Sequence, residues 1–460
     1  MFGFTEPYLF DRPIQAGFNV YTRKINYDQA RQYAIATGQN LNLPSAYLQN
    51  LQNYSQSSTG VSGTLSYPLR KGRSFKRVGI SYSFDRSSLV AVSAASKLLF
   101  ENINFSGITG PNALNGIITS KITPSFTMNT LDAAYAPHHG KSLFIGGEFA
   151  GLGGTVHTIR PIVQYKQFFS MQKRRNALGY NVQASFISGF SGVVAPPFER
   201  AYLGGENDLR GFDIRTVSPI AYLPSAQTVL LRNPEGSLVP RIPTGQCNTA
   251  TPQTTAATCV NIPIPYLQLV TPGGDLSLNG NAEYRITIAG PVAIAPFVDV
   301  GTDPILRNSQ LQINPIQFQN LQSTLFGCPI APQANNGYTC QGGARLPANT
   351  FSQNLSPVPG TNWVVRMSTG LELQTMLPVV NAPFRIYYAY NAMRLNGSAA
   401  PPIQITRGMF PCPNPGDNSN NCVDYGAGKY TYQLTKSTLG STYTLREPRK
   451  TFRFSVATTF

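Results

Sequence analysis

Acidic residues, tryptophan, histidine and long apolar runs are all scarce in this chain. Charged residues make up 12% of the 460, with one Trp and three His. So few charge pairs and strong helix formers exclude a coiled coil, a disordered polyelectrolyte and a compact helical enzyme. No stretch approaches the roughly 20 apolar residues of a membrane-spanning helix; the apolar passage Pro291–Val298 is short and carries prolines. A helical membrane protein is therefore excluded. Enzymatic motifs are also missing: there is no G-x-S-x-G, H-E-x-x-H or P-loop, and no nucleophile–base pairing. His138-His139 reads as a solvated pair at a turn, and Gly151–Gly154 as no phosphate cradle, since no helical pattern follows it. The chain reads as a non-enzyme with neither metal nor cofactor.

What is abundant is the material of turns and of β-structure. There are 41 Gly, 36 Pro, 26 Phe and 23 Tyr. The formal net charge is +16, but the basic residues form no single face. The densest groups, Arg70, Lys71, Arg73, Lys76, Arg77 and Lys173, Arg174, Arg175, each sit at a short turn between strand-like segments. Nucleic acid is not the expected partner.

Strict period-two alternation marks the strands. Val78, Ile80, Tyr82 and Phe84 oppose Gly79, Ser81, Ser83 and Asp85. Phe384, Ile386, Tyr388 and Tyr390 oppose Arg385, Tyr387, Ala389 and Asn391. Phe452, Phe454, Val456, Thr458 and Phe460 oppose Arg453, Ser455, Ala457 and Thr459. Faces rich in Arg, Glu, Gln, Asn and Gly suit a wet lumen better than a solvated exterior. Short connections near 70–75, 136–140, 172–175, 290–291 and 378–382 alternate with long polar ones near 26–59, 87–119, 191–274, 304–361 and 398–449, with a short exception near 152–155. That asymmetry is the mark of a transmembrane antiparallel β-barrel, the all-β structure that leaves no unpaired backbone group facing lipid. Twelve strands are recognisable: about 15–25, 60–69, 76–87, 120–135, 141–151, 156–171, 176–190, 275–289, 292–303, 362–377, 383–397 and 450–460. Residues 1–460 read as one barrel domain.

Six cysteines fall in couples within long polar segments: Cys247 and Cys259, Cys328 and Cys340, Cys412 and Cys422. Fifteen connectivities are open, and local pairing is the most economical. Disulfides imply an oxidising compartment, yet Met1–Leu9 has no secretory leader pattern. The two agree if the chain is a fragment or lacks its start.

The longest connection holds Gly204-Gly205 followed by Leu209-Arg210-Gly211-Phe212. This resembles the [VL]-R-G-[FY] motif in the sixth extracellular loop of BamA-type outer-membrane assembly factors and their two-partner-secretion relatives. Phe297-Val-Asp-Val-Gly301 resembles the family's F-x-D-x-G, and Thr5-Glu6-Pro7-Tyr8 its T-[EN]-P-[YF] at the end of the fourth strand. Asp132 with Pro137 and Gly140 resembles its D…P…G turn. The aromatic terminus, Phe460, is similar to the C-terminal signature of outer-membrane proteins. The resemblance implies a 16-stranded barrel, beginning here at the fourth strand. The preceding strands, the polypeptide-transport-associated domains and the signal peptide would then be absent. It implies that Arg210 folds back into the lumen onto Glu283 and Asp299, with Phe212 wedged against the wall. It also implies a seam at the strand Thr451–Phe460, a site in the bacterial outer membrane, and as partners the lipid bilayer, unfolded outer-membrane proteins and accessory lipoproteins. The alternatives are a two-partner-secretion transporter or a passive porin.

Overall fold

The structure, a computed structural model, describes residues 2–27, 54–69, 75–133, 136–172, 175–241, 246–247, 251, 255, 258–290, 292–327, 351–377, 382–400, 402–403, 405–410, 426–440 and 442–456. Its main element is one antiparallel sheet. In pairing order its strands are β1 (Phe2–Glu6), β2 (Gln15–Asn26), β3 (Tyr54–Leu69), β4 (Phe75–Ala91), β5 (Ile117–Asn129), β6 (Gly140–Gly154), β7 (Thr158–Met171) and β8 (Asn176–Phe186); short β9 (Ser188–Gly189) also pairs with β7. The sheet continues through β12 (Leu276–Ala289), β13 (Val292–Thr302), β15 (Arg366–Leu377), β16 (Ala382–Met393) and β19 (Lys450–Val456). The long connections carry a second sheet, in which β10 (Ala221–Leu230) lies between β11 (Asn261–Val270) and β14 (Ser356–Pro357), and a small ribbon of β17 (Asn396–Ala399) and β18 (Tyr443–Arg446). Among the described residues no helix is long and apolar enough to cross a membrane, and β1 and β19 end the main sheet.

The sheet wears its apolar face outward. Phe18 and Val20 of β2, Val61 and Leu65 of β3, and Val78, Ile80, Tyr82 and Phe84 of β4 are all exposed. A soluble sandwich would bury these residues. A surface this apolar needs lipid against it. The opposite face is polar and bonded across strands: Tyr21 donates to Asp85 at 3.1 Å and Arg77 to Gln15 at 2.7 Å and Ser66 at 2.8 Å.

A packed apolar core of the soluble kind therefore gathers in the long connections. There Leu99, Phe100, Phe105 and Phe198 are buried together with Tyr54 at the start of β3, with Phe105 and Phe198 edge to face at 5.7 Å. The helix Ala94–Asn102, which supplies Leu99 and Phe100, is capped by Ser93 accepting from the Ser96 amide.

Several boundaries differ from the sequence reading. β1 is a further strand, too short at five residues to show a period. β3 begins at Tyr54 and β6 runs through Gly154, so the proposed loop ends at 59 and 152 belong to strands. Glycines at positive φ (Gly151, Gly153, Gly154) give β6 a loop-like composition; its ladder with β5 shifts register there and resumes at Thr119↔Gly154. The turn between β5 and β6 is closed by Asp132, whose carboxylate accepts the amides of His138 and His139 at 2.9 and 3.1 Å. Of the cysteines, Cys247 and Cys259 are disulfide-bonded; Cys328, Cys340, Cys412 and Cys422 lie outside the described residues, as does Phe460.

Candidate functional site: the docked loop in the lumen

Residues 191–274 leave the sheet after β9 and return at β12. Antiparallel bridges Ala201↔Gly274, Leu203↔Val217 and Gly205↔Leu209 fold this segment back on itself. Gly204 has φ +111, and a Cβ there would stand 2.1 Å from the Asp213 carbonyl. Only glycine allows both the turn and that approach. Leu203, Leu209, Phe212 and Val217 form a small buried cluster. Phe212 packs with apolar residues of its own loop, because the hairpin bridges bring these four side chains together.

The turn presents Arg210 to the wall. Its Nε and Nη2 donate to the two oxygens of Asp299 at 2.8 and 2.7 Å, a fork on one carboxylate. Its backbone amide donates to the same carboxylate at 3.0 Å. Nη1 reaches Glu372 at 2.8 Å and Glu283 at 3.3 Å. The guanidinium also lies 3.7 Å from the centroid of the Phe297 ring. Burial alone would lower the guanidinium's pKa; Asp299, then Glu372 and Glu283, reverse that and hold it above its usual value. The group stays charged.

Strand register explains why these residues meet. Glu283 of β12 pairs with Phe297 of β13, Phe297 with Gly370 of β15, Gly370 with Ala389 of β16 and Ala389 with Thr451 of β19. One step along, Asp299 pairs with Ser368, and one step the other way Ala295 pairs with Glu372. Side chains two apart on a strand share a face, so the three acidic residues point into one patch of lumen. Gly370 leaves room for the Phe297 ring, whose Cζ would stand 2.9 Å from a Cβ there. Below the motif, Glu283 also pairs with Arg285 at 2.5 Å.

Arg210, Glu283 and Asp299 are thus together in the structure, and the sequence reading missed Glu372. Its signal was present, since Glu372 lies among the polar residues of an alternating strand, but only the ladder shows it level with Arg210. Leu209 and Gly211 flank Arg210 in the docked turn. Phe452 and Phe454 of β19 are exposed on the outer face, and Val456 pairs with Phe384.

A family model described as the Omp85 superfamily domain matches residues 1–408. The chain belongs to the Omp85 superfamily. It is a β-barrel protein of the bacterial outer membrane. Outer membrane protein assembly factor BamA of Neorickettsia risticii is 31% identical over 166 residues, an alignment covering 36% of this chain and 20% of that relative. BamA of Nitratidesulfovibrio vulgaris is 28% identical over 166 residues, covering 35% and 19%. These alignments span about a fifth of the curated relatives. The crystal structure of BamA from Haemophilus ducreyi lacking POTRA domains 1–3 shares the fold at 16% identity and a TM-score of 0.50, covering 85% of this Omp85 chain and 58% of that one.

Proposed function

We propose that this Omp85 chain is the barrel of an outer-membrane assembly factor, which folds and inserts β-barrel proteins into the outer membrane. The observation that carries the reading is the loop at Arg210, held on the inward carboxylates of three neighbouring strands close to an end strand of the sheet. Such a brace steadies the wall beside an edge that has to accept foreign backbone. The chemistry is non-covalent: the edge of β19 that has no partner strand among the described residues offers donors and acceptors to an incoming strand, which is β-augmentation. Residues 1–460 act as one barrel domain in this proposal, with unfolded outer-membrane proteins as substrates and accessory lipoproteins as partners.

The test is depletion of the native protein in its own bacterium. Assembly function predicts loss of several unrelated outer-membrane barrels and accumulation of their unfolded forms, with rescue by the wild-type gene. Loss of a single secreted polypeptide with the barrels intact would identify a two-partner-secretion transporter. Ion conductance with neither defect would identify a porin.

A further inference from the structure

The docked loop does not stop at Arg210; its next residues reach the end strand. The Gly211 carbonyl accepts two hydrogen bonds of 2.8 Å, one from Asn391 Nδ2 on β16 and one from Thr451 Oγ1 on β19. Two residues further, the Asp213 carboxylate is ion-paired with Arg453, also on β19. Asn391 donates as well to the Pro448 carbonyl at 2.8 Å, at the entry to β19. Thr451 and Arg453 are successive inward residues of that strand, while Phe452 and Phe454 are exposed on its outer face. Register sets this up: Thr451 lies level with Ala389 and Gly370, and Arg453 with Tyr387 and Glu372. The loop tip therefore spans from the Arg210 cluster to the inner side of β19.

Gly211 is what permits the approach. Its φ is +91, and a Cβ there would stand 2.2 Å from Asn391 Oδ1 and 3.0 Å from the Ala389 Cβ. Any side chain would push the carbonyl off both donors.

β19 needs holding. Within the described residues it pairs with β16 from Lys450↔Tyr390 to Val456↔Phe384. Among the described residues no strand pairs with its other edge. A strand held on one edge opens more easily than one held on both.

We propose that Asp213 and the Gly211 carbonyl form a clasp that positions β19 from inside the lumen. The clasp grips inward side chains and leaves the backbone edge untouched. An incoming strand can then pair with that edge while β19 keeps its place. Arg210 anchors the loop on β12, β13 and β15, and the clasp carries that anchorage to β16 and β19. Asp213, Thr451 and Arg453 are positioning residues, and the inference rests on the assembly reading above.

The experiment uses the full-length protein in vesicles of phosphatidylethanolamine and phosphatidylglycerol. It measures amide exchange of β19, amide exchange of Leu209–Phe212, and the folding rate of a small outer-membrane protein added unfolded. Thr451→Val, which removes only the hydroxyl donor, should speed β19 exchange roughly fivefold and Asp213→Asn by at least as much, the scale of one lost net hydrogen bond. Exchange at Leu209–Phe212 should stay slow, and substrate folding should slow with the loosened strand. Thr451→Ser should restore both readouts, as should the exchanged pair Asp213→Arg with Arg453→Asp. Unchanged β19 exchange in Thr451→Val and Asp213→Asn would overturn the clasp, whatever happens to substrate. Faster exchange with unaltered substrate folding would overturn its role in strand acceptance. Faster exchange in a protein whose wild type folds no substrate would uphold the clasp and sink the assembly reading.

Discussion

Replacing Arg210 with alanine tests the docked loop where its energetics are steepest. Asp299 is fully buried, Glu372 is 1% exposed and Arg210 5%, so the variant strands two carboxylates out of water. The loss of one partner from a buried ionic cluster costs about 3–5 kcal/mol. That is roughly a 100- to 4000-fold shift toward the undocked loop, at about 1.4 kcal/mol per tenfold. The remaining carboxylate partners soften this unequally. Glu372 keeps Gln374, which donates to it at 2.9 Å, and Glu283 keeps Arg285. Among the described residues Asp299 keeps only the Arg210 backbone amide, so most of the cost falls there. Arg210→Lys preserves the charge and loses the fork and the stack on Phe297, and should cost about 1–2 kcal/mol. Glu283→Gln, at a partly exposed position, should cost about 1 kcal/mol. Two measurements read the series in refolded protein: protease sensitivity of the loop, and the heating temperature at which the folded band on a semi-native gel is lost. The order should be Arg210→Ala, then Asp299→Asn, then Arg210→Lys, then Glu283→Gln. An Arg210→Ala loop as protected as wild type, or Glu283→Gln equal to Arg210→Ala, would refute the reasoning.

Two further outcomes follow from residues away from the motif. Asp303, just beyond β13, is 1% exposed and neither oxygen accepts a hydrogen bond among the described residues; burial raises its pKa well above the usual carboxylate range, against the pull of nearby Arg366. The folded form then holds its proton to higher pH than the unfolded chain, so stability falls as pH rises from about 4 through the folded value. Asp303→Asn should flatten that slope in urea titrations across the range, and an unchanged slope would count against the assignment. Reducing Cys247–Cys259, which closes a separation of 12 residues, should loosen the β10–β11 hairpin by about 3 kcal/mol. Limited proteolysis should show new cuts in that hairpin with the gel-shift temperature of the barrel unaltered; a falling shift temperature would contradict it.

The barrel strands were legible because lipid on one side and water on the other impose a period of two, which survives in residues such as Val78–Phe84. The long connections were not legible, for a physical reason visible in β11. Asn261–Val270 is buried on both faces, so it shows no alternation, and Pro263 and Pro265 argue against any strand. Those prolines are tolerated because β11 is an edge of its sheet and the missing amides cost it no second neighbour. The core of Tyr54, Leu99, Phe100, Phe105 and Phe198 was invisible for a related cause. It is assembled from the start of β3 and from separate connections, each of which reads alone as polar loop.

At the site, legibility ended where register begins. A motif can put Arg210 near Glu283 and Asp299, because each is marked by its own neighbours in sequence. It cannot show that Glu372 and Thr451 stand beside them, since that depends on four successive ladders. The row Glu283, Phe297, Gly370, Ala389 and Thr451 holds only if every one of those ladders keeps its pairing. A slip of one residue in β15 would turn Gly370 and Glu372 to the lipid and bring Leu371 against Arg210. The ion cluster therefore does more than fix the loop. Slipped registers would leave Arg210 facing an apolar side chain in place of a carboxylate, a mispairing the barrel could not bury without loss. The polar lumen thus selects the alignment of the same strands that carry the end strand.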